Sequence, residues 1–128
     1  NTGEIILVSP KDYEPDMTLF KGARYTDNIE SALRNADVVV TLRVQKERME
    51  NETQFIDLSQ YYKDYGLTSK RLELCKKDAI VMHPGPMNRG VEIENIVADG
   101  PQSVITEQVT NGIATRMAIL SIIEKSAG

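Results

Sequence analysis

"ARYTDNIESALRNADVVVTL", Ala23 to Leu42, carries two different periodicities back to back. Its opening "ARYT", Ala23 to Thr26, suits a brief strand. "DNIESALRNA" then sets Ile29, Leu33 and Ala36 on one face of a helix. Asp27 is its expected N-cap, with Glu30 three residues on at capping-box spacing. "DVVVTL", Asp37 to Leu42, is β-branched and almost wholly apolar, as a parallel strand buried on both faces should be. Strand, helix and strand within 20 residues is the grammar of an α/β domain.

The same alternation extends in both directions. "EIILV", Glu4 to Val8, reads as a buried strand closed by Ser9-Pro10. Helices are expected around residues 55–65 and over residues 69–76, and "AIVMH", Ala79 to His83, makes another buried strand. "SVITEQVTNGIATRMAILSIIEK" places Ile105, Val109, Ile113, Met117 and Leu120 at spacings of four, four, four and three. That spacing predicts a long amphipathic helix. The expected fold is α/β: a doubly wound, mostly parallel sheet with helices on both faces. Ligands in such sheets sit beyond the carboxyl ends of the strands. The places to inspect therefore follow Val8, Leu42 and Met82.

The bulk properties narrow the function classes. The chain has 128 residues, 41% hydrophobic and 27% charged, with a net charge of −4. That is the size and composition of one soluble domain, with no charge excess drawing it to nucleic acid or membranes. A single cysteine, Cys75, and a single histidine, His83, allow no internal disulfide and no structural zinc site. No apolar run approaches the roughly 20 residues of a membrane helix. A cytoplasmic setting is expected. The first residue is Asn1 and no signal-type segment follows, so the expectation is a start inside a longer polypeptide.

Two strand ends carry unusual chemistry. In "TLRVQKERM", Thr41 to Met49, an extended backbone turns Arg43 and Gln45 the same way and Val44 the other. An arginine fork grips a carboxylate through two parallel N–H bonds, and a glutamine beside it adds a donor and an acceptor. Glu47 can orient Arg43, while Arg48 pairs elsewhere. The alternative is a solvated turn with Arg43 and Glu47 as a surface pair, which contributes little. In "VMHPGPMNRGVEI", Val81 to Ile93, Pro84 and Pro86 have no N–H and hold their neighbours extended. The carbonyls of Pro84 and Gly85 are then open to an ammonium or amide, and Gly85–Pro86 is a candidate cis peptide. Against this stands a stiff strand exit with His83 as a hydrogen-bonded core residue. A general-base role for His83 finds no visible nucleophile or carboxylate partner.

Read together, "ADVVVTLRVQKERM" (36–49) and "VMHPGPMNRGVEI" (81–93) closely resemble the aspartate-binding domain of the aspartate carbamoyltransferase family. "YGLT" (65–68) and "EQVTNGIATRMAIL" (107–120) extend the resemblance over essentially the whole chain. The sister ornithine carbamoyltransferases usually carry Ser-Met-Gly and His-Cys-Leu-Pro signatures, and neither occurs here.

The resemblance implies transfer of the carbamoyl group of carbamoyl phosphate to the α-amine of L-aspartate. The products are N-carbamoyl-L-aspartate and phosphate, in pyrimidine biosynthesis, and no metal or organic cofactor is implied. Arg43 and Gln45 correspond to aspartate-binding positions, Glu47 to the acid that orients the arginine, and Arg48 to an interdomain contact. Pro84 and Gly85 match positions whose carbonyls meet the substrate amino groups, with Pro86 at the cis position. Many members have Leu or Met where Gly85 stands, so that side chain is missing, and Arg89 has no assigned role. Residues 1–128 correspond to the aspartate-binding, C-terminal domain without its first strand–helix unit and without the carbamoyl-phosphate domain with its Ser-Thr-Arg-Thr loop. The family assembles its site in a homotrimer, sometimes with a regulatory or dihydroorotase partner. This stretch alone is therefore expected to be inactive. A non-catalytic small-molecule binding or scaffolding domain of the same fold is the alternative.

Overall fold

A computed structural model describes residues 3–45 and 57–127 of the chain. Strand β1 (Ile5–Val8) pairs in parallel with β2 (Ala23–Thr26), Ile5 opposite Ala23 and Val8 opposite Thr26. Helix α1 (Ile29–Leu33) leads into β3 (Val38–Val40). After α2 (Leu58–Tyr65) and α3 (Ser69–Leu72), strand β4 (Ile80–Met82) pairs in parallel with β3. A short α4 (Asn95–Ala98) and a long α5 (Ile105–Ala127) complete the order. The α/β alternation and the parallel pairing are as expected, and the described strands stand as two separate pairs, β1–β2 and β3–β4.

The local signals explain most boundaries. Helix α1 is capped by Asn28, whose side chain accepts from the Ser31 N–H at 2.9 Å. The expected Asp27–Glu30 capping box does not form; Glu30 instead lies 3.9 Å from the Arg71 guanidinium. Asp57 caps α2 by accepting from the N–H groups of Ser59 and Gln60. Helix α3 ends at Leu72, four residues short of the expected Lys76. There the chain tightens: the Leu74 and Cys75 N–H groups donate three residues back. This frees the Leu74 carbonyl to accept from Asn35 and the Lys76 N–H to donate to Ala36. Backbone groups that would have continued the helix are satisfied by the α1–β3 connection instead.

The core gathers Leu33, Leu67, Ala79, Val81, Ile93, Val97 and Ile105 around β4. Leu67, Val81 and Ile93 are completely enclosed, worth about 1.5–3 kcal/mol each in removed apolar surface. Val81 also bonds on its other side, donating to Gln102 O and accepting from Val104 N–H, so β4 is the best-held strand of its pair. Leu67 is clasped between Glu92 O and the Glu94 N–H, which fixes the segment after the proline loop. On α5, Ile105 is buried, but Val109, Ile113, Met117 and Leu120 are exposed. The helix has the expected periodicity, and beyond its first turn its apolar stripe is largely exposed, from Val109 beside Gly85 onward.

Candidate functional site

The site grows from the β3–β4 pairing. In this parallel register Val40 lies opposite Met82, so both strands discharge at the same carboxyl end. Thr41 reinforces the junction, its N–H donating to Met82 O at 3.0 Å and its hydroxyl to the same oxygen at 3.3 Å. Arg43, half-buried, and Gln45, exposed, follow from β3. Pro84, Gly85 and Pro86 follow from β4, with the two prolines exposed and Gly85 half-buried. The Gly85–Pro86 peptide is cis, as the sequence suggests, and Gly85 has φ +67°. Glu47 and Arg48 lie outside the described residues.

One side-chain bond ties the two strand exits together. Asn88 Nδ2 donates to Val44 O at 2.9 Å, across the segment between Arg43 and Gln45. Among the described residues no donor reaches the carbonyls of Pro84 or Gly85. These oxygens have the character of a ligand surface: fixed acceptors with no partner among the described residues.

His83 lies directly beneath and is completely buried. Its Nδ1 accepts from the Gly85 N–H at 2.8 Å, so Nδ1 carries no proton there. Nε2 then bears the hydrogen and donates to Glu92 Oε1 at 3.1 Å. The His83 N–H donates to Gln108 Oε1 on α5 at 2.9 Å. With both ring nitrogens occupied, His83 serves as a hydrogen-bonded core histidine and has no free lone pair with which to act as a general base. Glu92 also accepts from the Asn88 N–H through the same oxygen, and its Oε2 has no hydrogen-bond partner among the described residues. Tyr61 of α2, stacked on Tyr65 with ring centroids 5.4 Å apart, has its hydroxyl pushed up, first by burial and then by the Glu92 charge.

Arg89 stands apart from this cluster. It is exposed and grips Asp99 through two bonds of 2.7 Å, which holds that carboxyl below the usual carboxylate range. Asn88, Glu92 and Gln108 were not singled out from the sequence. Glu92 left one trace, an acid inside the apolar "VEI" of residues 91–93. Asn88 and Gln108 left none. Among the described residues no cluster of His, Cys, Asp and Glu could hold a metal ion, and no helix is long and apolar enough to cross a membrane.

Between the two strand pairs lies a cavity of about 770 Å³. Its walls include Ile6–Val8 of β1 and Val38–Val40 of β3, with no residue of β2 or β4. The pairs therefore face each other across it, β1 opposite β3.

Residues 2–123 match the family Aspartate/ornithine carbamoyltransferase, Asp/Orn binding domain. The aspartate carbamoyltransferase catalytic subunit of Ruthia magnifica is 52% identical over 122 residues, 95% of this chain and 38% of that protein. The subunit of the same name from Legionella pneumophila (strain Lens) is 53% identical over 118 residues, 92% of this chain and 39% of that protein. The chain thus spans well under half the length of these relatives. Among solved structures, Trypanosoma cruzi aspartate transcarbamoylase in complex with aspartate and phosphate superposes with a TM-score of 0.71 at 26% identity. That match covers 91% of this chain and 37% of the other. Campylobacter jejuni anabolic ornithine carbamoyltransferase shares the fold, with a TM-score of 0.76 at 24% identity, over 96% of this chain and 44% of the other. The strand-end motifs, the fold and the matched residues agree: this chain belongs to the aspartate/ornithine carbamoyltransferase family, through its Asp/Orn binding domain.

Proposed function

We propose that these residues form the aspartate-binding part of an aspartate carbamoyltransferase. In the reaction the α-amine of L-aspartate attacks the carbonyl carbon of carbamoyl phosphate. The new N–C bond forms as the C–O bond to phosphate breaks, and the amine gives up a proton. Arg43 grips an aspartate carboxylate and Gln45 adds hydrogen bonds beside it. The carbonyls of Pro84 and Gly85 accept from the substrate nitrogen, with Pro86 shaping the loop. Glu47 orients Arg43, and Arg48 takes part in interdomain contact. The observation that carries this reading is the Asn88–Val44 bond, which joins the arginine-bearing exit to the open carbonyls.

The reading includes the domain organisation. Residues 1–128 are the C-terminal, aspartate-binding domain without its first strand–helix unit. The cavity between β1 and β3 supports this, because each strand offers it an edge on which a further parallel strand can pair. The carbamoyl-phosphate domain supplies the other half of the site. Much of the rate in a two-substrate transfer comes from holding both reactants in register, and fixed charges around the departing phosphate supply more. These 128 residues alone are therefore inactive in this reading. The working enzyme is a cytoplasmic homotrimer that opens pyrimidine biosynthesis.

The experiment is a phosphate-release assay on the full-length protein that carries these residues, with carbamoyl phosphate and either L-aspartate or L-ornithine. Turnover with aspartate and none with ornithine is expected. Turnover with ornithine alone, or with neither, refutes the assignment.

A further inference from the structure

Below the proline loop, a continuous series of hydrogen bonds runs from one half of the site to the other. The Gly85 N–H donates to His83 Nδ1, His83 Nε2–H donates to Glu92 Oε1, and the Asn88 N–H donates to that same oxygen. The Asn88 side chain then donates to Val44 O. His83 and Glu92 are both essentially buried, so water cannot replace a lost partner. Burying a carboxylate is costly unless it is paired and fully hydrogen-bonded. Here one oxygen takes both donors and, among the described residues, the other takes none. Such an arrangement is poor as a stability device, and its geometry instead fixes two backbone segments relative to each other.

We propose that Glu92, His83 and Asn88 are positioning residues for aspartate, holding the Pro84–Gly85 carbonyls at a set distance and angle from the Arg43–Gln45 segment. The inference rests on the aspartate-binding reading above. None of the three touches substrate. Glu92 is the hub: it orients the His83 ring, whose bare Nδ1 pins the Gly85 N–H and with it the direction of the neighbouring carbonyls. Asn88 carries the constraint across to Val44. Loosening any link leaves the ligand groups present and misplaces them, which weakens aspartate and spares carbamoyl phosphate.

The test compares steady-state constants of full-length variants. Asn88→Ala removes the part-buried hydrogen bond to Val44 O and should raise the aspartate KM by about fivefold, the worth of one such bond, with the carbamoyl phosphate KM unchanged. Glu92→Ala should raise the aspartate KM further, and Glu92→Gln, which keeps an acceptor oxygen for both donors, should recover most of that loss. An aspartate KM at the wild-type value in Asn88→Ala, or a Glu92→Gln protein as impaired as Glu92→Ala, overturns the inference. A wild-type protein that carbamoylates no aspartate refutes the function instead. The linkage is then judged by the Gly85 amide resonance, displaced in Glu92→Ala and restored in Glu92→Gln if it is real. An unmoved resonance in Glu92→Ala overturns it.

Discussion

Replacing Gly85 with alanine separates backbone conformation from space. Gly85 has φ +67°, a region that costs an L-residue roughly 1–2 kcal/mol. Among the described residues an added Cβ would meet only Val109 Cγ2, at 3.8 Å, an ordinary contact. No clash adds to the cost, and a less flexible unfolded chain offsets it by up to about 1 kcal/mol. The net loss is about 1 kcal/mol. With a urea dependence of about 1.5 kcal/mol per molar for a chain of this size, the midpoint should fall by roughly 0.7 M. Gly85→Asn should lose less than half as much, because asparagine visits this region readily. The assay is equilibrium urea unfolding followed by far-UV circular dichroism. An alanine variant with the wild-type midpoint, or an asparagine variant worse than alanine, refutes the argument that φ sets the cost.

Two further outcomes follow from the core and the surface. Leu67→Ala, at a completely enclosed position, should cost about 2–5 kcal/mol in the same unfolding experiment; a loss below about 1 kcal/mol contradicts the packing described. The Asp99 carboxyl is held below its ordinary 3.8 chiefly by the hydrogen bond from Arg89. Its folded-state value is depressed, so its stabilising contribution is present above 3.8 and fades as pH falls through the folded-state value. The gap in melting temperature between wild type and Asp99→Asn should be flat near neutral pH, close below pH 4, and shrink with added salt. A gap that widens on acidification contradicts the assignment.

How much of this was legible in the sequence depends on whether the signal was local. The β-branched run at 37–42 and the apolar run at 79–83 announced β3 and β4, but the burial on both faces expected of such runs is not met among the described residues, where Val38, Val40 and Ile80 stand exposed. The proline loop announced its own backbone, cis bond included. The N-cap of α1 was misplaced by one residue, since Asp27 and Asn28 are equally good caps and only geometry chooses between them. Helix α3 ran short because its last turn gave its backbone groups to the α1–β3 connection, a contact some 40 residues distant that no local pattern encodes. The periodicity of α5 was read correctly, but period says nothing about whether a partner covers the stripe. The site split in the same way. Arg43, Gln45 and Pro84–Pro86 stood out by chemistry, whereas Asn88, Glu92 and Gln108 matter only through whom they meet.

The proposed function requires Arg43 and the loop carbonyls to hold one dicarboxylic amino acid between them. The direct measurement is the aspartate KM of the full-length protein with Arg43→Ala and Arg43→Lys beside wild type. Hydrogen bonds to a charged group are worth about 1.5–3 kcal/mol, so the alanine variant should raise that KM roughly 10- to 100-fold. Lysine, a point charge without the fork, should recover only a part. The carbamoyl phosphate KM should stay put in both. An unchanged aspartate KM in Arg43→Ala, in a protein that still folds, contradicts the account.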